Sequence, residues 1–241
     1  MKFAAPQTAI FLDLETTGLF PKEAGAAILE IGMLAVEVPA FREIDSWSTV
    51  MISNAAQLKD PLAGCNDFVR TMHTENGLSK DLAVAIATSQ RIGRVSPSVA
   101  EAQAGAETFY NRHASGKRVY LAGAKPDFDR NWLDHHMPSL AKKFHYRGFD
   151  TNAFFILREY LVGVEKSGQA HRVLDDCRQA MKVVHEHFSF MKTLFARPPA
   201  ADPRGLSALR PAAQTLWGAP GGHGALVDDL EALVAELEGT Q

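Results

Sequence analysis

Two acidic residues near the N-terminus, Asp13 and Glu15, are separated by a single residue and follow an apolar run. In a β-strand, this two-residue spacing would place both carboxylates on the same side of the strand's C-terminal end. Burying two carboxylates is costly, and Mg²⁺ or Mn²⁺ would offset that cost because hard cations prefer oxygen ligands. The pair therefore indicates a metal site, with two solvated acids at a strand end as the alternative.

The segment directly after this pair is small and polar. It consists of Thr16, Thr17 and Gly18, and Leu19 follows. Glycine can adopt backbone dihedral angles that other residues avoid, so we expect a tight turn at Gly18. A substrate backbone could approach such a turn closely.

A second acidic segment follows a predicted buried strand at 119–122. Asp127 or Asp129 would stand where this strand turns into a helix, and side chains at such sheet ends converge on clefts. Aspartate is also a good helix N-cap residue, so a purely structural role is the alternative for this segment.

A third segment, 170–177, opens a long predicted helix. Asp176 lies at the border of the apolar face of this helix and Asp175 lies nearly opposite, so Asp176 is the better candidate to line a cleft. His171 precedes the helix and could act as a general base near neutral pH, although a lone polar histidine is also common there. The apolar face comprises Val173, Leu174, Cys177, Ala180, Met181, Val184 and Phe188.

The elements that must hold these segments follow from local patterns. Strands at 9–14, 27–36 and 46–52 predict an antiparallel meander, and short helices are expected within 57–74. Ser98 and Glu101 have the spacing of a capping box. The later part predicts a helix at 98–113, a strand at 119–122, a helix at 128–136, a strand at 144–149, and helices at 151–161 and 172–190. This order indicates an α/β fold with a mixed sheet flanked by helices.

The composition narrows the possible classes of function. The 241 residues are 46% hydrophobic, which is enough to bury a full core. The net charge of −3 argues against bulk electrostatic binding of nucleic acid, so such a substrate would depend on local contacts and metal ions. Cys65 and Cys177 do not indicate a disulfide framework. Neither a signal peptide nor a membrane span is predicted, and we expect a cytoplasmic protein.

Together the three segments resemble the DEDD superfamily of 3′-to-5′ exonucleases, in the branch with a histidine in its last motif. The matching residues are Asp13, Glu15, Asp129 and Asp176, with His171. The resemblance implies a ribonuclease H-like fold in which the four acids hold two Mg²⁺ or Mn²⁺ ions. It also implies that His171 activates the water that attacks the terminal phosphodiester. Two cations about 4 Å apart can stabilise both the attacking and the leaving oxygen.

Within the superfamily the chain is most similar to the oligoribonuclease family, over about residues 8–190. The more discriminating motifs are Met-His-Thr-x-x-Gly-Leu, present here as Met-His-Thr-Glu-Asn-Gly-Leu at 72–78, and Phe-His-Tyr-Arg at 144–147. The similarity implies that Leu19 wedges between bases and that Phe68 stacks on a base. Stacking of this kind tolerates any sequence and contributes about 1–3 kcal/mol per base. A phenylalanine in the core is the alternative for Phe68.

The similarity also implies that His73 borders the same pocket and that a Tyr-Arg pair, here Tyr146 and Arg147, caps the 5′ phosphate of the substrate. In the family this pair comes from the neighbouring subunit, which implies a homodimer. The chain departs from the family at other residues that would help to hold this phosphate. Two serines are replaced by Lys125 and Asn152, and the usual asparagine before the first serine is an alanine. Lys125 could still bind phosphate as a point charge.

Residues 193–241 fall outside the resemblance, so we predict an exonuclease domain at 1–192 and a C-terminal extension. Prolines and glycines between 198 and 222 predict a surface linker. An amphipathic helix is predicted after the linker, with docking on the catalytic domain or binding to a partner as alternatives. Its apolar stripe consists of Leu226, Leu230, Leu233 and Leu237.

These patterns predict a metal-dependent 3′-to-5′ exonuclease that releases nucleoside 5′-monophosphates from short single-stranded oligonucleotides, with RNA preferred. A single-stranded DNA exonuclease of the proofreading or ribonuclease T kind is the first alternative, suggested by Thr16-Thr17 and the altered phosphate cap. A catalytically silent binding module, with the C-terminal helix as its working part, is the second.

Overall fold

The computed structural model describes residues 7–114, 116, 118–162 and 171–195. Most of the predicted C-terminal extension, including its leucine-rich helix, lies outside the described residues. The described chain divides into two units, and residues 7–152 with 171–181 form the larger one. The smaller unit includes 153–162 and 182–195. All of the residues proposed above for the site belong to the larger unit.

A five-stranded mixed sheet is the centre of the larger unit. The strands β1 (Gln7–Thr16), β2 (Ile28–Val38) and β3 (Arg42–Val50) form the predicted antiparallel meander. The short strands β4 (Leu121–Gly123) and β5 (Gly148–Asp150) extend the sheet in parallel from β1. The order across the sheet is β3-β2-β1-β4-β5. The predicted α/β architecture, a ribonuclease H-like mixed sheet with flanking helices, is confirmed.

Seven helices follow the meander within the described residues, and none of them is long and apolar enough to cross a membrane. Their bounds are α1 (Asp67–Glu75), α2 (Leu78–Ile92), α3 (Val99–Ala114), α4 (Pro126–His136), α5 (Pro138–Ala141), α6 (Asn152–Val162) and α7 (Val173–Phe195).

Alternation along β1 decides which side chains enter the main core. Ile10, Leu12 and Leu14 pack into the core cluster shared with β2, α3 and α4. Because neighbouring side chains on a strand point to opposite faces, Asp13 and Glu15 lie together on the other face. The predicted common side for the two acids is confirmed.

The strand β2 is buried from Ile28 to Val36, as expected for a strand with two apolar faces. The capping box at the start of α3 is also confirmed. The Ser98 N–H donates to Glu101 Oε2 at 2.8 Å, and the Glu101 N–H donates to Ser98 Oγ at 3.3 Å. On α7, Val173, Cys177 and Ala180 are buried on the predicted apolar face.

The main error in the predicted elements concerns α2, for which the sequence patterns predict no helix. Its buried stripe includes Leu78, Leu82 and Ile86, which have helical spacing. Val84 lies on the opposite face with 67% of its surface exposed, so apolar residues occur on both sides and obscure the periodicity.

Smaller differences concern the ends of elements. The predicted helices within 57–74 reduce to α1, which begins at Asp67. The helix α4 does end before Pro138, but Pro138 then starts the short helix α5, because proline suits the first helical position. The two late strands are only three residues long, and β4, which lies between β1 and β5, pairs with β1 at two positions and with β5 at three.

Candidate active site

The strand β1 places Asp13 and Glu15 at its C-terminal end. Asp13 is opposite Gly32 of β2, and Glu15 is opposite Glu30. Glu15 is buried and Asp13 is half-buried. These two acids therefore do not form a solvated strand end.

Asp129 reaches the same end of β1 from the first turn of α4. The side chain is buried, and its Oδ1 accepts a hydrogen bond from the Leu14 N–H at 3.1 Å. Lys125 occupies the N-cap position of α4, so the capping alternative for Asp129 is wrong. Asp127 is exposed. The structure thus selects Asp129, whose carboxylate is bonded to the peptide between Asp13 and Glu15.

The start of α7 brings in the third segment. One ligand atom from each of Glu15, His171 and Asp176 lies within 4.8 Å of the other two. Asp175, in contrast, is exposed, and its Oδ1 lies 3.7 Å from Nη1 of Arg178. Of the two neighbouring acids, Asp176 at the border of the apolar face is therefore the one that joins the cluster.

A glycine in β2 permits this close approach of α7. A Cβ atom at Gly32 would lie 2.5 Å from Cγ2 of Val173, so any other residue would push the start of α7 away from the sheet. Gly32 is the partner of Asp13 across the sheet. The sequence patterns did not single out this residue, because the contact joins residues far apart along the chain.

Burial and the repulsion of neighbouring acids raise the pKa values of two of these acids, Glu15 and Asp129. Burial, reinforced by the charges of Asp13 and Asp176, raises the pKa of Glu15 to about 9. Burial also raises the pKa of the Asp129 carboxyl, with Asp13 as the next cause. A cluster of buried oxygen donors that resist ionisation fits a divalent cation, because the cation would compensate the negative charge.

One further acid at this end of the sheet, Glu30, is paired with an arginine that compensates its charge. The carboxylate of Glu30 is buried and accepts two hydrogen bonds from Arg172, at 3.0 and 2.9 Å. Such a forked pair occupies both oxygens, so Glu30 is not a good candidate ligand. Neither residue was among the predicted site residues, although an acid in the otherwise apolar run of β2 could have drawn attention to Glu30.

His73 lies against the acids and is fully shielded from solvent. Its Nε2 is 3.1 Å from the carbonyl oxygen of Thr16, and its Nδ1 is 3.8 Å from Glu15 Oε2. Because a carbonyl can only accept, Nε2 carries the proton and donates it. Burial lowers the pKa of His73. The histidine therefore supports the end of β1 from within the protein.

The hydroxyl groups of the turn after β1 are used internally. Thr16 Oγ1 donates to the Gly18 carbonyl at 2.7 Å, and Thr17 Oγ1 accepts from the Ala27 N–H at 2.9 Å. Gly18 does not have a left-handed φ angle, so the expected need for glycine dihedral angles is wrong. What its position offers is open space, since a Cβ there would meet nothing within 4 Å.

Two large apolar side chains point outward from segments anchored at this end of the sheet. Leu19 is 70% exposed and Phe68 is 76% exposed. A core role for Phe68 is therefore excluded. The helix α1 that carries Phe68 is capped by Asn66, whose Oδ1 accepts from the Val69 N–H, and its last turn contains His73.

The candidate phosphate-cap residues are also on the surface. Tyr146 and Arg147 are exposed, and the guanidinium carbon of Arg147 lies 5.4 Å from the centroid of the Tyr146 ring. Lys125 is exposed with a left-handed φ of 63°, and its N–H donates to Asp150 Oδ1 at 3.1 Å. The N–H of Asn152 donates to the same oxygen at 2.8 Å.

Comparison with known proteins identifies relatives along most of the chain. The oligoribonuclease of Leifsonia xyli subsp. xyli is 30% identical over 199 residues, which cover 79% of this chain and 85% of the relative. The oligoribonucleases of Pseudomonas aeruginosa and Pseudomonas paraeruginosa are each 27% identical over 190 residues, which cover 76% of this chain and 97% of the relative. No protein-family model matches. The chain therefore belongs to the oligoribonuclease family, within the DEDD superfamily of 3′-to-5′ exonucleases.

Proposed function

We propose that this protein removes nucleotides one at a time from the 3′ end of short single-stranded RNA and releases nucleoside 5′-monophosphates. The observation that carries the proposal is the meeting of two distant segments, in which Glu15 of β1 and His171 and Asp176 at the start of α7 place ligand atoms within 4.8 Å of one another. Membership of a family whose members are named oligoribonucleases supports short RNA as the substrate.

We assign Asp13, Glu15, Asp129 and Asp176 as the ligands of two divalent cations, Mg²⁺ or Mn²⁺. When bound, such ions supply Lewis acidity at the scissile phosphate. The donor set fits them, since burial and mutual repulsion disfavour the ionised acids unless a positive charge is near. The hydrogen bond from the Leu14 N–H holds the Asp129 carboxylate in place.

We assign His171 as the general base. Its position beside Glu15 and Asp176 would suit either a ligand or a base, and histidine is the side chain that most often transfers protons in catalysis. The attacking water would give its proton to His171 as its oxygen bonds to phosphorus. The bond from phosphorus to the 3′ oxygen of the preceding nucleotide would then break, which leaves the phosphate on the released nucleoside.

We propose that two exposed apolar side chains, Leu19 and Phe68, contact the bases of the substrate. Leu19 follows the end of β1, and Phe68 lies on the helix whose His73 is bonded to Thr16. Both side chains are exposed, so each could meet a base without rearrangement of the core. In this arrangement Thr16, Thr17 and Gly18 form the turn that presents Leu19, and His73 supports it from below.

At the other end of the substrate we propose that Tyr146 and Arg147 of a second subunit hold the 5′ phosphate in a cytoplasmic homodimer. Tyr146 is 70% exposed, and the planar guanidinium of Arg147 can donate two hydrogen bonds to a phosphate. Lys125 would add a positive charge near this phosphate. Because a lysine holds phosphate less specifically than a set of hydroxyl groups, we expect oligonucleotides longer than two residues to be accepted as well.

A degradation assay with matched RNA and DNA ladders tests this function. Labelled single strands, from dinucleotides upward, are incubated with Mg²⁺ or Mn²⁺, with EDTA as the metal-free control and Asp129→Asn as the inactive control. Stepwise shortening of RNA from the 3′ end with release of 5′-mononucleotides is expected. Equal or faster trimming of DNA would contradict the RNA preference and favour the DNA exonuclease. Binding without metal-dependent turnover would favour the silent binding module.

A further inference from the structure

The backbone of His171 has an unusual conformation. Its φ angle is +49°, in the left-handed region that residues with a Cβ atom seldom occupy. Such a conformation persists only where the surrounding contacts enforce it. It also sets the direction in which the imidazole leaves the chain, immediately before α7 begins at Val173.

One contact acts directly on the His171 peptide. The side-chain amide of Asn76 donates a hydrogen bond from Nδ2 to the His171 carbonyl oxygen. The other end of the same amide is occupied, because Asn76 Oδ1 accepts from the Leu78 N–H at 3.0 Å. This second bond defines which end of the amide faces His171. Asn76 is the C-cap residue of α1, so the corner between α1 and α2 reaches across to the loop before α7.

A second contact holds the next residue. Arg172 forms its forked pair with the buried Glu30, and its Nη2 also donates to Asp81 Oδ2 of α2 at 2.8 Å. Charge-assisted hydrogen bonds in this planar geometry restrict orientation strongly. The peptide between His171 and Arg172 is therefore tied to the α1–α2 corner through Asn76, and the Arg172 side chain is tied to β2 and α2.

We propose that Asn76 is a positioning residue for catalysis, which holds the His171 backbone so that the imidazole faces Glu15 and Asp176. Arg172 is the second support of the same loop. This inference rests on the proposed function, in which His171 is the general base. The Met-His-Thr-Glu-Asn-Gly-Leu motif then has two roles at this site, since His73 contacts the end of β1 and Asn76 contacts the loop of the base.

A double-mutant cycle between Asn76→Asp and His171→Ala tests the proposal. Aspartate at position 76 keeps the oxygen that accepts from Leu78 but loses the donor to His171. Asn54→Asp is the matched control, because Asn54 Oδ1 accepts from the backbone N–H groups of Ala56 and Gln57 and an aspartate can do the same. The four proteins of the cycle are compared in single-turnover cleavage of a short RNA with enzyme in excess.

The expected result is a cleavage rate lowered by up to about a hundredfold in Asn76→Asp, as for a misplaced catalytic group, with the half-saturating enzyme concentration unchanged. Asn54→Asp should cleave at the wild-type rate. In the His171→Ala background, Asn76→Asp should cause no further loss, because there is no imidazole left to position. An effect of the new charge on the metal ions would persist in that background.

Two results would overturn the inference alone: a wild-type rate in Asn76→Asp, or the same loss with and without His171. Full activity of His171→Ala would instead overturn the proposed base, and the positioning role with it. Should Asn76→Asp fail to fold, Arg172→Lys takes its place in the cycle. Lysine keeps the positive charge but cannot form the forked pair, so we again expect a slower rate that disappears in the His171→Ala background.

Discussion

The carboxylate of Asp129 accepts a hydrogen bond from the backbone N–H of Leu14 at 3.1 Å, although 115 residues separate the two along the chain. Leu14 is the residue between Asp13 and Glu15, so this bond brings an acid of α4 to the two acids of β1. His171 and Asp176, at the start of α7, place ligand atoms within 4.8 Å of Glu15, so residues of β1, α4 and α7 meet at this end of the sheet.

Asp129→Asn should separate the effect of the Asp129 charge on cleavage from the effect of its hydrogen bond on folding. The amide oxygen can still accept from the Leu14 N–H, so the variant should fold, while the loss of one anionic ligand should lower cleavage by at least about a hundredfold. The change should not destabilise the metal-free protein, since burial already raises the pKa of the Asp129 carboxyl. Cleavage rates and thermal unfolding measure the two effects. Marked destabilisation would show that the ionised carboxylate supports the fold.

His171→Ala should distinguish a base from a ligand. Loss of a general base typically lowers the rate about 10²–10⁴-fold. If His171 is the base, the affinity for Mn²⁺ should remain that of the wild-type protein, because the four carboxylates remain. Cleavage assays and Mn²⁺ titration by calorimetry measure both quantities. A large loss of Mn²⁺ affinity would instead make His171 a ligand.

The stability of the metal-free protein should fall as the pH rises. Burial and neighbouring acids raise the pKa of Glu15 to about 9, above its ordinary value of 4.5, so the folded state retains a proton that the unfolded state releases. Between these values each pH unit should lower the free energy of unfolding by at most about 1.4 kcal/mol from this group. Urea unfolding in EDTA should show the slope in the wild-type protein and a weaker slope in Glu15→Gln. Equal slopes would contradict the assignment to Glu15.

Gly32→Ala should damage both stability and activity. The added Cβ would lie 2.5 Å from Val173 Cγ2, so the start of α7 must move away from the sheet with His171 and Asp176. Overpacking of this kind costs about 1–3 kcal/mol in the free energy of unfolding. Gly18→Ala is the matched control for unfolding, because a Cβ at Gly18 meets nothing within 4 Å. Similar unfolding curves for both variants would contradict the close contact.

Mixed dimers should test whether each active site uses a residue from its partner. Asp129→Asn and Arg147→Ala homodimers are each expected to be weakly active. In a mixed dimer, the Arg147→Ala subunit keeps its acids and receives the intact Arg147 of the Asp129→Asn subunit, so one complete site forms. Recovery of cleavage after subunit exchange is expected. If activity does not exceed the sum of the separate homodimers, Arg147 does not act across the interface.

Sequence patterns were sufficient to predict a structural feature wherever its cause lies within a few neighbouring residues. Asp13 and Glu15 lie on one face of β1 because alternation is a property of the strand itself. The capping box of Ser98 and Glu101 likewise needs only residues three apart. The helix α2 was missed by the same criterion, since the exposed Val84 places an apolar residue on the solvent face.

The tertiary structure decided which of these local possibilities became parts of a site. It selected Asp129 over Asp127, placed Phe68 on the surface rather than in the core, and paired Glu30 with Arg172. Each of these outcomes depends on contacts between residues far apart along the chain, and local spacing carries no information about such contacts. The sequence alone therefore determined the types of the candidate site residues, but their convergence depends on how α4 and α7 pack against the end of β1.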